Sequence, residues 1–290
     1  MKRAAYAFLA PALLLLGLFF FVPAVASLVL SLSDFDIYAI ATPGAVRFVG
    51  LRNYADLLRN PLFWTALGNT LYFVLVGGPL SVGVSLAAAL ALDAPLVRFK
   101  GFFRTVYFAP VVTTLVAVAV IWKYLYDPRF GLLNYGLHLL GISGPDWLGN
   151  PRLAMPSLII MTVWKNFGYN MIIFIAGLQA VPTELYDAAR VDGAGPWQRF
   201  RNVTLPTLVP TFVFVSVTTM IGYCQLFSEP YVMTQGGPLH ATLSLVLFMY
   251  QEGFRWWHMG FAAAVSFVLF VLTLLGTVAQ LRLRREAAPA

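Results

Sequence analysis

Hydrophobic residues along this chain gather into six long runs separated by more polar stretches, and that alternation sets the architecture before any single residue is considered. The runs lie near 7–32, 64–92, 105–126, 154–180, 205–228 and 259–281. As helices, all are long enough to cross a hydrocarbon core of roughly 30 Å, which takes about 20 residues. The predicted fold class is an all-α membrane protein with six transmembrane helices, read as a single transmembrane domain over residues 1–290. Gly77-Gly78-Pro79 interrupts the second run and predicts a kink, because a proline removes a backbone donor and clashes with the preceding turn.

The first run also has the outline of a secretory signal, with Lys2-Arg3 ahead of it and Ala24-Val25-Ala26 as a cleavage-like site. Its uncharged stretch extends from Ala4 to Ser33, far beyond a signal core, so an uncleaved span is expected. Between the first two runs, Leu51, Tyr54, Leu57 and Leu58 fall on one side of a short helix with Arg52, Asp56 and Arg59 on the other. That is the pattern of an element lying on the membrane surface. Residues 127–153, with Gly131, Gly141, Gly144, Pro145 and an apolar Leu132-to-Leu140 stretch, predict a second such element.

The polar insert ELYDAARVDGAGPWQRFRNVTLP, Glu184 to Pro206, is different in kind. Thr183 is placed to cap a helix whose first turn carries Glu184 and Asp187, acids suited to the positive dipole end, and Gly193 is placed to end it. Pro196 suits the first turn of a second helix. Helices of about two to three turns are unstable alone in water and need a surface to dock on. Ala188 and Ala189 leave room for another backbone to come close.

Composition agrees with a bilayer protein: 60% of residues are hydrophobic and 11% are charged. The net charge of +7 then reads as a topology signal rather than a nucleic-acid footprint, because the basic residues are scattered at the ends of apolar runs. With a cytoplasmic N-terminus, the inner segments hold Lys2, Arg3, Arg98, Lys100, Arg104, Arg190, Arg199, Arg201, Arg282, Arg284 and Arg285. The outer ones hold Arg47, Arg52, Arg59, Arg129, Arg152 and Arg255. Both termini and the 181–204 loop are therefore expected in the cytoplasm, in a multi-pass protein of the cytoplasmic membrane. The lone Cys224 excludes an internal disulfide, and His138, His240 and His258 lack metal-ligand spacing.

Asp187-Ala188-Ala189, then Gly193, then Val203-x-Leu205-Pro206 resembles the EAA loop of ABC importer permeases, with Asp187 where Glu and Val203 where Ile is usual. Gly50-Leu51-x-Asn53-Tyr54, Phe103-Arg104, Gly131-Leu132-Leu133-Asn134, Ala176-Gly177-Leu178-Gln179 and Thr234-Gln235-Gly236-Gly237-Pro238 extend the likeness over nearly the whole chain. Together they resemble the six-span carbohydrate permeases of the maltose and glycerol-3-phosphate kind, with Gln235 where a glycine is usual. The resemblance implies an ABC importer permease fold whose 181–204 loop is a cytoplasmic coupling element. Glu184, Asp187, Ala188, Ala189, Asp192, Gly193 and Pro206 would be its ATPase-coupling residues. It also implies a second permease subunit, normally a different chain, two ATPase subunits, an external solute-binding protein, and a sugar or related polyhydroxy solute as cargo. No cofactor is expected on this chain. It has no G-x-x-x-x-G-K-[ST], and none of Lys2, Lys100, Lys123 and Lys165 follows a glycine, so ATP would be held by the separate ATPase subunit.

The solute path has fainter markers. Thr162, Asn166 and Asn170 share a face of the fourth run, and Thr218, Gly222, Gln225 and Glu229 share one on the fifth. Such stripes line aqueous paths or glue helices together. Lys165 lies well inside an apolar run, which costs on the order of 2.5–3.5 kcal/mol on insertion scales unless it is paired or wet. Lys165, Asn166, Asn170 and Gln225 are the candidate pathway residues; Glu229 and Lys123 read as interfacial. Asn60-Pro61-Leu62 and Asn150-Pro151-Arg152 do not supply the Asn-Pro-Ala pair of a water channel, and no nucleophile–base or metal cluster in the spans points to an enzyme. An ion-coupled secondary transporter using Lys165 and Glu229 is the alternative.

Overall fold

The computed structural model describes residues 2–40, 46–94 and 96–287. Helices dominate it, and the β structure among the described residues is one isolated antiparallel bridge between Ser33 and Phe48. In lipid, backbone groups have no water to bond, so apolar runs of this length satisfy them internally as helices. Five helices are long and apolar enough to cross a membrane: Phe8–Ser31, Pro61–Asp93, Pro151–Gln179, Pro196–Met233 and Met259–Arg282.

The third predicted run differs. It is broken into two helices, Lys100–Val112 and Leu115–Leu125, with a 97° bend between them, and the pair taken together makes a sixth candidate span. Pro110 weakens the last turn of the first piece. Thr113 and Thr114 are then extended, at φ −74°, ψ 146° and φ −64°, ψ 139°, and the Thr113 hydroxyl donates to the Pro110 carbonyl at 2.6 Å. The kink expected at Gly77-Gly78-Pro79 takes the form of a widened, π-helical turn at Phe73–Gly77. Similar turns at Gly17–Phe21 and Phe200–Thr204 precede Pro23 and Pro206 at the same offset. The extra residue per turn accommodates the missing donor and the ring without breaking the helix.

The chain divides into two compact units, Met1–Trp64 with Leu245–Val271, and Thr65–Ser244 with Leu272–Ala290. In the first, the end of span one is held by the Arg52–Arg59 helix. The Asn53 amide donates to the Ser31 and Ser33 carbonyls, both at 2.8 Å, and the Tyr54 hydroxyl lies 2.8 Å from that of Ser31. Leu57 is fully buried while Leu51 and Leu58 are exposed, so the apolar stripe read from sequence is only partly turned inward.

In the second unit the core lies among the second, fourth and fifth spans, with Ala89, Leu92, Met171, Phe174, Leu208 and Val215 at its centre. Burying leucine gains little in a bilayer, whose tails are as apolar as the side chain, so close approach and interhelical hydrogen bonds carry the association. Gly168 permits such an approach: a Cβ there would collide with the Tyr107 carbonyl of the third span. Beyond the broken span, the Leu132–Leu139 helix is clamped by Asn134. Its amide donates to the Pro145 carbonyl at 3.0 Å and accepts from the Trp147 indole at 2.7 Å. In the Thr234-to-Pro238 turn, Gln235 sits at φ +52° and Gly236 at φ +86°, so the residue that departs from the glycine pattern occupies the left-handed region.

Candidate functional site

The polar insert folds as a helix, Thr183–Val191, a tight turn and a second helix starting at Pro196. Thr183 does not cap the first helix. It is the first helical residue, and Pro182, at φ −58° and ψ 131°, takes the cap position with no side-chain bond. Proline's fixed φ suits that entry and displaces the expected cap by one residue. The exit matches a Schellman turn: Gly193 is at φ +75°, its N–H donates to the Arg190 carbonyl at 3.0 Å, and the Ala194 N–H donates to the Ala189 carbonyl at 2.9 Å. Asp187 pairs with Arg190 at 2.9 Å, with both side chains about two-thirds exposed, so the bond shapes the surface more than it stabilises it.

The second helix does not stop. Gln198 accepts from the Gly195 N–H at 2.8 Å, and Pro196–Arg199 continues through the Phe200–Thr204 turn into the fifth-span helix, Leu205–Cys224, with Pro206 in its first turn. The Tyr186 and Thr204 hydroxyls lie 2.9 Å apart, tying the first helix to the base of that span. Glu184, Asp187, Ala188, Asp192 and Gly193 are exposed and Ala189 is half-buried. Val191 and Trp197, 89% and 69% exposed, add a bare apolar surface to the same loop.

Inside the second unit the two polar stripes converge on one cavity of about 360 Å³. Thr162, Asn166 and Asn170 line it from the fourth span, Thr218, Gly222 and Gln225 from the fifth, and Glu229 from the Ser228–Met233 helix. Phe73, Val111, Leu115 and Tyr223 supply the apolar wall. The Asn170 amide donates to the Thr219 hydroxyl at 2.9 Å, so it joins the two helices as well as facing the space. Gln225 is exposed to it.

Lys165 does not line this cavity. It is buried, and its ammonium reaches the Val111 carbonyl at 3.5 Å. That carbonyl lies in the last turn of the Lys100–Val112 helix, where four carbonyls lack helical partners and the dipole is negative. Glu229, expected at the interface, is instead buried at 7% exposure, with its carboxylate 3.5 Å from the Thr162 hydroxyl. The short helix that carries it folds back against the Leu115–Leu125 half of the third span, a tertiary placement no local pattern announces. Tyr223 and Phe73, 5.0 Å apart by ring centroids, were not singled out from sequence, although Tyr223 lies one turn beyond Thr219 on the fifth span.

The profile of the family described as "binding-protein-dependent transport system inner membrane component" matches residues 7–288. The lactose transport system permease protein LacF of Rhizobium radiobacter is 37% identical over 284 residues, 96% of this chain and 93% of that one. The sn-glycerol-3-phosphate transport system permease protein UgpA of Agrobacterium fabrum is 34% identical over 282 residues, 97% and 94% of the two chains. Among solved structures, a chain of a bacterial alginate ABC transporter, crystallised in complex with an alginate pentasaccharide-bound periplasmic protein, superposes with a TM-score of 0.81 at 21% identity. That match covers 100% of this chain and 96% of that one, and it speaks to the fold alone.

Proposed function

The chain belongs to the binding-protein-dependent transport system inner membrane components, and on that premise we propose that it is the permease subunit of an ATP-driven importer moving a sugar or related polyhydroxy solute into the cytoplasm. The working assembly holds a second permease, two ATPase subunits and an external solute-binding protein. Both termini and the 181–204 loop face the cytoplasm, as the distribution of basic residues favours. The named cargoes of the lactose and glycerol-3-phosphate relatives are both polyhydroxy compounds, and the amides and hydroxyls of the cavity wall suit such solutes. The relatives lend no support to an ion-coupled secondary transporter.

One observation carries the mechanism: the second helix of the loop is continuous with the fifth span, which lines the cavity with Thr218, Gly222 and Gln225. A displacement of the second loop helix by a closing ATPase dimer therefore reaches the cavity wall along one helix, and the first loop helix is tied to the base of that span by the Tyr186–Thr204 hydroxyl contact. ATP and loaded binding protein act by binding one of two states better, and the permease follows the shift in population. Asp187, Ala188, Ala189 and Gly193 shape the contact; Lys165, Asn166, Asn170 and Gln225 serve the path, Lys165 by holding the end of the broken span.

Ala189→Arg tests the docking surface. A long cation at a half-buried position where close approach is needed should abolish transport and weaken association with the ATPase, while the chain still inserts. Normal assembly and transport by this variant would remove the docking reading.

A further inference from the structure

The second unit contains another cavity, of about 550 Å³, and its walls, unlike those of the polar one, are almost wholly apolar. Ala88 and Ala91 on the second span are too small to fill the space beside them. Phe103 and Tyr107 on the third span and Phe167 on the fourth form the facing wall, with Phe103–Tyr107 and Tyr107–Phe167 centroids 6.2 and 5.6 Å apart. Arg98 is the charged residue of the lining; it is exposed and makes no ion pair among the described residues.

The neighbourhood is cationic. Between residues 93 and 104, Arg98, Lys100 and Arg104 face a single acid, Asp93. The Lys100 ammonium is tied to the Asp93 backbone carbonyl at 2.8 Å, and among the described residues the Asp93 carboxylate forms no ion pair with either arginine. The Arg104 Nε is buried without a hydrogen-bond partner. Around this turn Leu96, Phe99 and Phe102 are bare, at 91%, 81% and 64% exposure, so apolar side chains border the charged rim of the cavity, as at the edge of an apolar layer. An apolar trough opening beside an unpaired guanidinium at that depth is complementary to one amphiphile: a fatty acyl chain below, a phosphate above. A polyhydroxy solute would find the Tyr107 hydroxyl and the Arg98 guanidinium as the polar side chains along such walls, too few for its several hydroxyls.

We propose that this groove binds an anionic phospholipid of the cytoplasmic leaflet, with its phosphate on Arg98 and an acyl chain between the second, third and fourth spans. Basic pockets between transmembrane helices on the cytoplasmic side are sites for such headgroups, and one arginine near an anionic membrane surface changes binding by about fivefold. The depth assignment rests on the orientation proposed above. The binding itself does not.

The test uses the assembled transporter in mild detergent, titrated with phosphatidylglycerol or phosphatidylcholine and read by native mass spectrometry. Retention of one phosphatidylglycerol for each copy of this chain, in preference to phosphatidylcholine, is expected. Arg98→Gln should weaken that retention about fivefold, and Ala91→Trp should abolish it by filling the trough with the charge intact. Arg152→Gln, at an exposed position in the first turn of the fourth-span helix, should leave it unchanged. Equal retention of the two lipids, or Arg98→Gln and Ala91→Trp behaving as wild type, overturns the proposal. So does crosslinking from residue 98 to a second permease chain in the resting complex, which would mean that protein covers the groove. The readout needs neither ATP nor solute, so its failure leaves the importer reading untouched.

Discussion

Gly193→Val is predicted to disconnect the docking loop while leaving the spans folded. Gly193 sits at φ +75°, and nothing lies within 4 Å of a Cβ added there, so the penalty comes from the backbone and not from a clash. An L-residue in the left-handed region costs roughly 1–2 kcal/mol, with a β-branched side chain at the upper end. If the turn opens to relieve this, it gives up the Gly193-to-Arg190 and Ala194-to-Ala189 hydrogen bonds, each contributing about 0.5–1.5 kcal/mol net. The loop therefore keeps its docking shape about 5–30 times less often. Asparagine tolerates the left-handed region, so activity should fall in the order Gly193, Gly193→Asn, Gly193→Ala, Gly193→Val. The assay is ATPase turnover of the reconstituted complex stimulated by loaded binding protein, with membrane content of the chain and co-purification of the ATPase measured alongside. A valine variant as active as the asparagine variant would refute the reasoning, because the closing turn would then be irrelevant to coupling.

Gly168→Ala should lower the yield of folded chain by overpacking the Tyr107 carbonyl, at about 1–3 kcal/mol, and Gly168→Leu should prevent insertion of a stable chain; normal thermal stability of the alanine form would contradict the close crossing. Lys165→Met should reduce stability and assembly, since it strips the end of the broken span of its cation, whereas Gln225→Leu should leave assembly intact and raise the apparent KM for solute; the reverse pattern would exchange their roles. Asn170→Leu loses the bond to Thr219, worth about 0.6 kcal/mol between membrane helices, and should shift both stability and transport. On a Cys224-free background, an impermeant thiol reagent should label cysteines placed at Asn53 and Gly237 from outside but spare one at Gln198, and labelling of Gln198 in sealed cells would invert the topology.

Features that repeat at a helical period were legible in the sequence. The long runs follow from length alone, and Thr162, Asn166 and Asn170 meet Thr218 and Gly222 in one cavity because each set keeps to one face of its helix, whereas Gln225 caps the fifth-span helix and Glu229 joins from the short helix beyond it. The glycine that ends the first loop helix was legible for a local reason as well. The break at Thr113-Thr114 was not, because Pro110 in an apolar run is equally compatible with a kinked continuous helix, and what decides is the packing of two half-helices. Glu229 looked interfacial because burial of a carboxylate depends on a distant hydroxyl, Thr162, and on a short helix folding back. The clamps made by Asn53 and Asn134 bond to carbonyls many residues away, so their motif spacing marked them without revealing what they hold.

The central claim is that this chain imports solute by coupling to ATP hydrolysis on another subunit. The most direct measurement places the complete complex in proteoliposomes, with ATP inside and binding protein loaded with labelled sugar outside, and follows accumulation with time. Accumulation that requires the ATPase subunits and hydrolysable ATP, and is lost in Ala189→Arg without loss of the chain, is the predicted result. Accumulation driven by a proton or sodium gradient with the ATPase subunits absent would contradict it.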